Sequence, residues 1–368
     1  MPSSRESQSD PRSQAARKTE QRASQSLPGP AFSSHRPRRL RRTAGIRRMV
    51  RETQLTVEHL IYPLFVEEGI SEARPIDSMP GVSRLSPAIA AEKAAHAHEL
   101  GIPSVLLFSI PQHKDAGGSE SFAADGVVQQ AVRSIKERVP EIVVITDVCL
   151  CEYSDHGHCG VLNRDREPHP NASLPNDYLL NDETLAVLQQ IALSHAGAGA
   201  EIVAPSGMID GMVGAIRSTL DQHGFTECSI MSYAIKYASA FYGPFREAAD
   251  GAPRFGDRRT HQMDPGNAGE AVREAELDRR EGADFLMVKP ALAYLDVLYR
   301  IKAEIPELPL VAYNVSGEFS MLRAAGDAGY LDAAAAQWEV LTAIRRAGAD
   351  LIITYAAPEI AEMLLTHG

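Results

Sequence analysis

Eight short apolar runs, separated by Ala-rich amphipathic stretches, constrain the fold of this chain more than any other feature of its sequence. Continuous rather than alternating hydrophobicity is typical of strands that are buried on both faces of a parallel sheet. The stretches between the runs, such as ETLAVLQQIALSHAGAG, suit helices, and several end in Gly, a common residue at a helix C-terminus. The runs are LIYPLFV (60–66), SVLLFSI (104–110), IVVITDVCL (142–150), EIVAPSG (201–207), SIMSYAIKY (229–237), FLMVKP (285–290), LVAYNVSG (310–317) and LIITYAA (351–357).

The alternation predicts an α/β protein, and its eight strand–helix units predict a (β/α)8 TIM barrel over residues 59–368. An open, doubly wound sheet is the alternative. The sequence has no GxGxxG after the first run, which disfavours a dinucleotide-binding fold. Long polar segments at 151–180 and 242–268 follow the third and fifth runs. We expect them at the end of the barrel where active sites lie.

The N-terminal region differs from the rest of the chain in charge and composition. Residues 1–51 carry 13 Lys and Arg against 3 Asp and Glu, whereas the remainder carries 24 against 45. Residues 1–35 are rich in Ser, Arg, Gln and Pro and poor in apolar side chains, which predicts a disordered tail. A transit peptide is the alternative for these residues, and their three acidic side chains count against it.

Residues 36–58 are predicted to form an N-terminal arm that makes subunit contacts. Their Arg-rich run is followed by the apolar Leu55 and Val57, a pattern that suits docking on an acidic neighbouring subunit. Binding to nucleic acid or anionic lipid is the alternative for such a basic run. The acidic body of the chain argues against a nucleic-acid enzyme, so we expect no nucleic-acid partner.

Hydrophobicity and cysteine content bear on the compartment. Every apolar run is shorter than the roughly 20 residues that a membrane-spanning helix requires. Because the N-terminus is also not followed by an apolar signal segment, we expect no membrane partner. Four Cys in 368 residues do not make a disulfide framework. The prediction is a cytoplasmic protein, and in a reducing compartment clustered thiols indicate metal binding or catalysis.

The segment DVCLCEYSDHGHCG brings three thiols within eleven residues: Cys149, Cys151 and Cys159. Cys149 and Cys151 are predicted to end a strand and, two residues apart, to face the same side. Three thiolates can hold a zinc ion and leave its fourth position open, which is typical of a catalytic rather than a structural site. Buried, inert thiols are the alternative. We expect His158 beside the cluster rather than as a ligand, and a similar or surface position for His156.

Two lysines end apolar runs, Lys236 in SIMSYAIKY and Lys289 in FLMVKP. Lysine is rare in such surroundings because burial of an ammonium ion costs several kcal/mol. A second cation nearby or a dry pocket lowers the pKa of an amine, and the neutral amine can attack a ketone to form a Schiff base. A single lysine at a strand end usually extends its amine to solvent. Two on adjacent barrel strands favour the catalytic interpretation.

Residues that can hold an anion lie at the same predicted end of the barrel. Arg246 and Arg258 belong to the long segment after the fifth run, Ser316 ends the seventh run and Tyr355 ends the eighth. Guanidinium groups bind carboxylates through two hydrogen bonds, and hydroxyl groups add further ones. Each residue alone would be unremarkable, but together they indicate a site for a small keto acid.

Six segments closely resemble the porphobilinogen synthase family, also called 5-aminolevulinate dehydratase. The resemblance extends from about residue 38 to the end of the chain. It implies a barrel with an N-terminal arm, usually a homo-octamer. It also implies a lyase that condenses two molecules of 5-aminolevulinate to porphobilinogen, with loss of two waters, in tetrapyrrole and heme biosynthesis. The segments are DVCLCEYSDHGHCG, MSYAIKYASAFYGPFREA, FGDRR, LMVKPA, VSGEFSML and IITYAAPEI.

The resemblance also implies roles for individual residues. Each lysine would hold one substrate as an imine, which acidifies the adjacent carbon for C–C bond formation, and a free amine would then close the ring. The implied roles are Schiff-base formation for Lys236 and Lys289, with Lys289 essential; zinc binding for Cys149, Cys151 and Cys159; contact with one substrate carboxylate for Arg246 and Arg258 and with the other for Ser316 and Tyr355; further active-site positions for Asp147 and Ser206; and allosteric magnesium binding for Glu274.

The chain departs from the common family pattern at three positions. Gly207 stands where many relatives have Asp, Glu152 where many have Pro, and Ile235 where a smaller residue is common. These departures concern local loop and pocket details rather than the reaction. Two other functions remain as alternatives. A Schiff-base aldolase would need one lysine and leave the cysteines unexplained, and a non-enzymatic zinc-binding interaction protein would not need the lysines.

Overall fold

The computed structural model describes residues 35–165 and 173–367. These residues divide into two units, with the boundary between Glu52 and Thr53. The predicted tail lies outside the described residues except for residue 35. Within the first unit, a 3-10 turn (Pro37–Arg41) precedes helix α1 (Ala44–Met49), whose N-terminus is capped by the hydroxyl of Thr43. The side chains of α1 are largely exposed, and its last turn is basic.

The second unit is built on parallel strands that close into a barrel. Eight strands, all except the short ones at Arg74–Pro75 and Ser83–Leu85, pair in the order in which they occur in the chain, and the last pairs back with the first. This closure confirms the (β/α)8 barrel and shows that the doubly wound alternative is wrong. The strands are β1 (Leu60–Glu67), β2 (Arg74–Pro75), β3 (Ser83–Leu85), β4 (Ser104–Ile110), β5 (Val143–Val148), β6 (Ile202–Pro205), β7 (Ser229–Lys236), β8 (Phe285–Lys289), β9 (Leu310–Asn314) and β10 (Leu351–Thr354).

Helices connect the strands and cover the outside of the barrel. Their ends follow the chemistry that the sequence predicts: the helix that precedes β6 ends at Gly199, whose φ of 107° is a conformation that glycine adopts without strain. The helices of this unit are α2 (Pro87–Glu99), α3 (Val127–Arg138), α4 (Asn181–Ala198), α5 (Met212–Gln222), α6 (Gly243–Ala248), α7 (Ala268–Glu281), α8 (Leu295–Glu304), α9 (Ser316–Asp327), α10 (Ala333–Arg346) and α11 (Ala357–His367).

The barrel strands are buried on both faces, which explains their continuous hydrophobicity. All seven residues of β4 and all five residues of β9 are buried. One face of each strand packs inside the barrel and the other packs under the helices. Within the described ranges we find no helix long and apolar enough to cross a membrane.

The parallel arrangement brings chemically distinct residues to one end of the barrel. β5, β7 and β8 end at Val148, Lys236 and Lys289, and their C-terminal ends lie at the same edge because the strands run in the same direction. Lys236 and Lys289 are direct register partners. A β-bulge between Ser232 and Ile235 interrupts the pairing just before them. Both long polar segments of the sequence leave this end.

Candidate active site

The two lysines lie side by side at the mouth of the barrel, as their sequence positions predict. Both side chains are buried, and both line one narrow cavity. Burial, and after it the positive charge of Lys236, lower the pKa of Lys289 to about 7. A large fraction of the Lys289 amine is therefore neutral near physiological pH and can act as a nucleophile.

Four aromatic rings surround the amine of Lys289. Its Nζ atom lies 4.3 to 5.4 Å from each ring centroid, so the rings exclude water while their faces attract the ammonium form. The lowered pKa shows that the cost of burial outweighs this attraction. We call these residues the aromatic cage: Tyr233, Tyr242, Phe245 and Tyr313.

Lys236 has polar surroundings instead. Its Nζ atom donates a hydrogen bond of 2.6 Å to the main-chain oxygen of Ser206. The hydroxyl of Ser206 in turn donates to Oδ2 of Asp147 at 3.1 Å. Burial raises the pKa of Asp147 to about 6, and the charge of Lys236 opposes that rise. Of the cage rings, Tyr233 also lies near this amine, at 5.4 Å.

The three cysteines of the sequence motif converge into one cluster. Their Sγ atoms lie within 4.8 Å of one another, and all three side chains are buried. β5 ends at Val148, so Cys149 and Cys151 follow the strand rather than end it, contrary to the sequence expectation. A hydrogen bond with Cys149 lowers the pKa of the Cys151 thiol well below its usual range. Soft donors at this spacing, one of them readily ionised, fit a zinc ion.

The two histidines of the motif are buried. His156 Nδ1 accepts a hydrogen bond from the main-chain N–H of His158 at 3.1 Å. A ring nitrogen of His158, Nε2, lies 3.0 Å from the carbonyl oxygen of Phe255. The group of side chains close enough to share one metal ion, within the described residues, consists of the three cysteines alone. His158 does not belong to this group, and its position beside the cluster stays a prediction.

The predicted anion-holding residues divide between two places. Arg258 is buried, lines the cavity with the lysines and donates to the carbonyl oxygen of Gly157 at 2.8 Å. Arg246 lies on α6 and is partly exposed; burial and then the charge of Arg258 lower its pKa. Two such neighbouring cations suit an anionic ligand.

Ser316 and Tyr355 lie on the side of the cavity where the aromatic cage is. Ser316 begins α9 instead of ending the seventh barrel strand, because β9 stops at Asn314. Its hydroxyl oxygen accepts a hydrogen bond from the main-chain N–H of Phe245 at 3.0 Å. The hydroxyl groups of Tyr355 and Tyr313 lie 2.9 Å apart. Through Phe245 and Tyr313, both predicted residues contact the cage that surrounds Lys289.

Glu274 lies apart from these residues, on α7. It lines a second, polar cavity together with Asp210 and Glu270. Burial raises the pKa of Glu274, and the charges of Asp210 and Glu270 raise it further. The structure therefore places this predicted magnesium ligand among other carboxylates outside the cavity of the lysines.

Two features of the cavity escaped the sequence analysis. The aromatic cage is one, since strict alternation along β7 would turn Tyr233 away from Lys236. The β-bulge between them places the ring of Tyr233 5.4 Å from the Lys236 amine. The other is Glu152, which the sequence shows only as a departure from a common proline. Its buried carboxyl group lines the cavity, and burial raises its pKa well above the usual range.

The fold and the cavity define a class of protein: a (β/α)8 barrel enzyme with buried amines and a thiol cluster at the mouth of the barrel. Comparison with known proteins is more specific. The family model described as "Delta-aminolevulinic acid dehydratase" matches residues 34–363.

Relatives with this name are similar over nearly their whole length. The chain is 53% identical to the protein of Synechocystis sp. over 333 residues, 90% of this chain and 99% of that protein. It is 50% identical to the protein of Bacillus subtilis over 332 residues, 90% of this chain and 98% of that protein. It also resembles the crystal structure of delta-aminolevulinic acid dehydratase (porphobilinogen synthase) from Toxoplasma gondii in complex with the reaction product porphobilinogen. That match has a TM-score of 0.86 and 43% identity over 91% of this chain and 93% of that one.

The chain belongs to the delta-aminolevulinic acid dehydratase family. It is a hydro-lyase with porphobilinogen synthase function, the condensation of two 5-aminolevulinate molecules to porphobilinogen with loss of two waters. The resemblance drawn from the sequence motifs is confirmed at the level of family, fold and reaction.

Proposed function

We propose that the two lysines carry this reaction by each holding one 5-aminolevulinate as an imine. The observation that supports it is the pairing of Lys236 with Lys289 in one buried cavity, with the pKa of Lys289 lowered to about 7. Each neutral amine attacks the ketone carbon of one substrate, and each imine forms with release of one water. Imine formation acidifies the neighbouring carbon, from which a base removes a proton before the C–C bond forms.

Asp147 is the candidate for that proton transfer. It is buried in the lysine cavity, and its pKa of about 6 allows it to accept and return a proton near neutral pH. The hydrogen bond from Ser206 fixes the orientation of its carboxyl group. Formation of the C–C bond at one imine carbon leaves a lysine amine on that carbon, and its elimination with loss of a proton regenerates that lysine. Formation of the C–N bond by the amino group of one substrate breaks the imine to the other lysine and regenerates the second enzyme amine. The product and two waters account for all atoms of the two substrates.

We further propose that the substrate carboxylates bind at opposite sides of the cavity. Arg246 and Arg258 hold one carboxylate, and their adjacent positive charges support this role. Ser316 and Tyr355 hold the other through their hydroxyl groups, next to the cage around Lys289. In this proposal each substrate has its own carboxylate site, and the two reacting carbons lie near the lysines.

We propose that the cysteine cluster holds zinc. The three buried Sγ atoms would be its ligands, and their mutual distances and the lowered pKa of Cys151 support this assignment. When bound there with an open position, zinc supplies Lewis acidity to the site. Gly157 lies in the loop that carries the cysteines. Arg258 donates a hydrogen bond to its carbonyl oxygen and thereby holds this loop against the cavity.

A second metal, magnesium, is proposed at Glu274 as an allosteric ligand. The neighbouring Asp210 and Glu270 support a cation there, since oxygen donors are what magnesium prefers. Titration of the wild-type enzyme with magnesium, followed by light scattering and activity, tests the idea. We expect a larger assembly and higher activity, and an unchanged size and rate would contradict it.

We also propose that the enzyme assembles through the arm at residues 36–58, with a homo-octamer as the expected form. Residues 1–35 are proposed to be a dispensable tail. The basic last turn of α1 supports docking on an acidic subunit surface. Deletion of residues 1–35 is expected to leave mass and activity intact, and deletion of 1–55 to lower both. A 1–55 truncation that keeps the full oligomeric mass would contradict the role of the arm.

The four free thiols suit a cytoplasmic location, which we propose for the enzyme.

The experiment that tests the function is direct. Purified enzyme with zinc receives 5-aminolevulinate, and the pyrrole product is detected with an aldehyde colour reagent. We expect a product that depends on both the substrate and the enzyme. Imine trapping with a simple keto acid but without pyrrole formation would favour the Schiff-base aldolase instead, and zinc binding without either would favour an interaction protein.

A further inference from the structure

Glu152 lies in the cavity of the lysines, but no step of the reaction above uses it. Its carboxyl group lines the cavity together with Lys236, Lys289 and Asp147. Only 2% of the residue is exposed to solvent. A buried carboxyl group is costly to keep unless its oxygens find partners, so its position calls for an explanation.

One of the two oxygens is fully engaged by the protein. Oε2 accepts hydrogen bonds from the main-chain N–H of Ser109 at 2.7 Å and from its hydroxyl group at 3.1 Å. These two donors fix the orientation of the carboxyl group. The other oxygen, Oε1, is buried and has no hydrogen-bond partner within the described part of the chain. A ligand in the cavity that supplies a matching polar group would complete it.

The substrate offers three polar groups, and two of them are already assigned. The ketone reacts with a lysine, and the carboxylates meet Arg246 and Arg258 on one side and Ser316 and Tyr355 on the other. A substrate carboxylate is disfavoured next to Glu152, because it would add a negative charge beside the carboxyl groups of Glu152 and Asp147. The amino group remains. As an ammonium ion it donates a hydrogen bond to a carboxyl oxygen, a contact that an amide NH2 group in the same place cannot make.

We propose that Glu152 is a substrate-contacting residue whose Oε1 atom binds the amino group of a 5-aminolevulinate held by one of the two lysines. The inference rests on the proposed roles of the lysines. Through this contact the cavity binds 5-aminolevulinate more tightly than keto acids of the same length that lack an amine. It also holds that amine in place before C–N bond formation.

Glu152→Gln tests the inference with little change of shape. The two donors of Ser109 require the amide oxygen on their side, so the amide NH2 group would face the cavity and meet the substrate amine with its own donors. We expect the 5-aminolevulinate concentration that gives half-maximal borohydride trapping to rise about 10- to 100-fold, as for a lost hydrogen bond to a charged group. Levulinate, the same keto acid without the amine, should be trapped as in wild type, within about twofold, since it makes no such contact.

Zinc is supplied in every assay, so that metal loss does not contribute. Glu67→Gln is the matched control: Glu67 is another buried carboxylate at the end of a barrel strand, but it pairs with Arg74 at 2.7 Å instead of lining the cavity. Both ligands should bind this control as they bind wild type. Glu152→Ala, which removes the carboxyl group outright, should show the same difference between the ligands if the glutamine variant folds poorly.

The outcomes separate the inference from the proposal on which it rests. An unchanged half-saturating concentration of 5-aminolevulinate in the Glu152 variants overturns the inference. Equal weakening of 5-aminolevulinate and levulinate overturns it as well, because the carboxyl group would then only support the cavity. Absence of trapping on either lysine in the wild-type enzyme would instead overturn the lysine assignment itself.

Discussion

Lys236 and Lys289 are register partners on neighbouring strands, yet their amines have different surroundings. The amine of Lys289 lies among four aromatic rings, whereas that of Lys236 donates to a main-chain oxygen next to a hydroxyl and a carboxyl group. Burial among these rings, and after it the charge of Lys236, lower the pKa of Lys289 to about 7. The polar side keeps hydrogen-bonding partners near the second amine. The comparison shows that two lysines at equivalent strand positions contact different walls of one cavity.

The largest difference is expected when each lysine is removed. Lys289→Ala should lower kcat by about four orders of magnitude or more, because the essential nucleophile is lost. Lys236→Ala should also lose turnover but still form an imine on Lys289. Steady-state pyrrole formation and borohydride trapping measure the two effects. The exposed Lys93→Ala is the control and should behave as wild type. Equal loss of imine formation in both variants would contradict the proposal that Lys289 forms its imine without Lys236.

Removal of the metal is expected to lower activity without preventing imine formation on Lys289. Cys149→Ala is expected to lose zinc and to lower activity by about 10³-fold, the effect of losing a Lewis acid worth several kcal/mol. Imine trapping on Lys289 should persist, since its aromatic cage is intact. A chelator should inactivate the wild-type enzyme and added zinc should restore it. Cys228→Ala, a buried thiol outside the cluster, should retain zinc and activity. Full activity of a metal-free wild-type preparation would show that the zinc assignment is wrong.

The aromatic cage should be visible in the pH profile. Only the neutral amine of Lys289 is a nucleophile, so kcat/KM should fall as the pH drops below about 7, by up to tenfold per pH unit. Tyr313 is the ring nearest the amine, at 4.3 Å, and its face favours the ammonium form. Tyr313→Leu should therefore lower the pKa further and move the acid limb down by about 0.5 to 1 pH unit.

Tyr313→Phe is the matched control for the ring itself. It keeps the aromatic face and loses only the hydroxyl contact with Tyr355. Its acid limb should stay within about 0.3 pH unit of wild type, because the interaction with the ring is retained. An equal displacement in both variants would show that the hydroxyl pair, and not the ring, controls the amine.

The smallest effect is expected for the side chain of Ser206. Ser206→Ala removes the hydrogen bond to Asp147 but keeps the main-chain oxygen that accepts from Lys236. We expect a loss of activity of about tenfold, the value of one hydrogen bond to a charged group, with trapping on Lys289 unchanged. Kinetics with 5-aminolevulinate and trapping at saturation measure it. A loss as large as that of Lys289→Ala would mean that the two sides of the cavity are not independent.

The fold and the positions of the two lysines could be predicted from the sequence because both depend on local patterns. The apolar runs predict each barrel strand within a few residues, as at 104–110, where prediction and structure coincide. Parallel strands then bring their ends together by topology, so the neighbourhood of Lys236 and Lys289 follows from strand order. The three cysteines were also predictable as a group, because they lie close together in the chain.

The walls of the cavity were not predictable, because they depend on irregular backbone and distant contacts. The β-bulge before Ile235 reverses the facing of Tyr233, and alternation along a strand does not reveal a bulge. Glu152 is held by Ser109, a contact between residues 43 positions apart. Ser316 looks like the end of an apolar run but begins α9, since β9 stops two residues earlier. Such features require the tertiary structure.

The central claim is that both amines of the cavity form imines with substrate. The enzyme is reduced with borohydride at increasing concentrations of 5-aminolevulinate, and the labelled peptides are identified by mass spectrometry. Our account predicts label on Lys289 and, as the substrate concentration rises, label on Lys236 as well. Label found only outside these two lysines, while the pyrrole is still being formed, would contradict it.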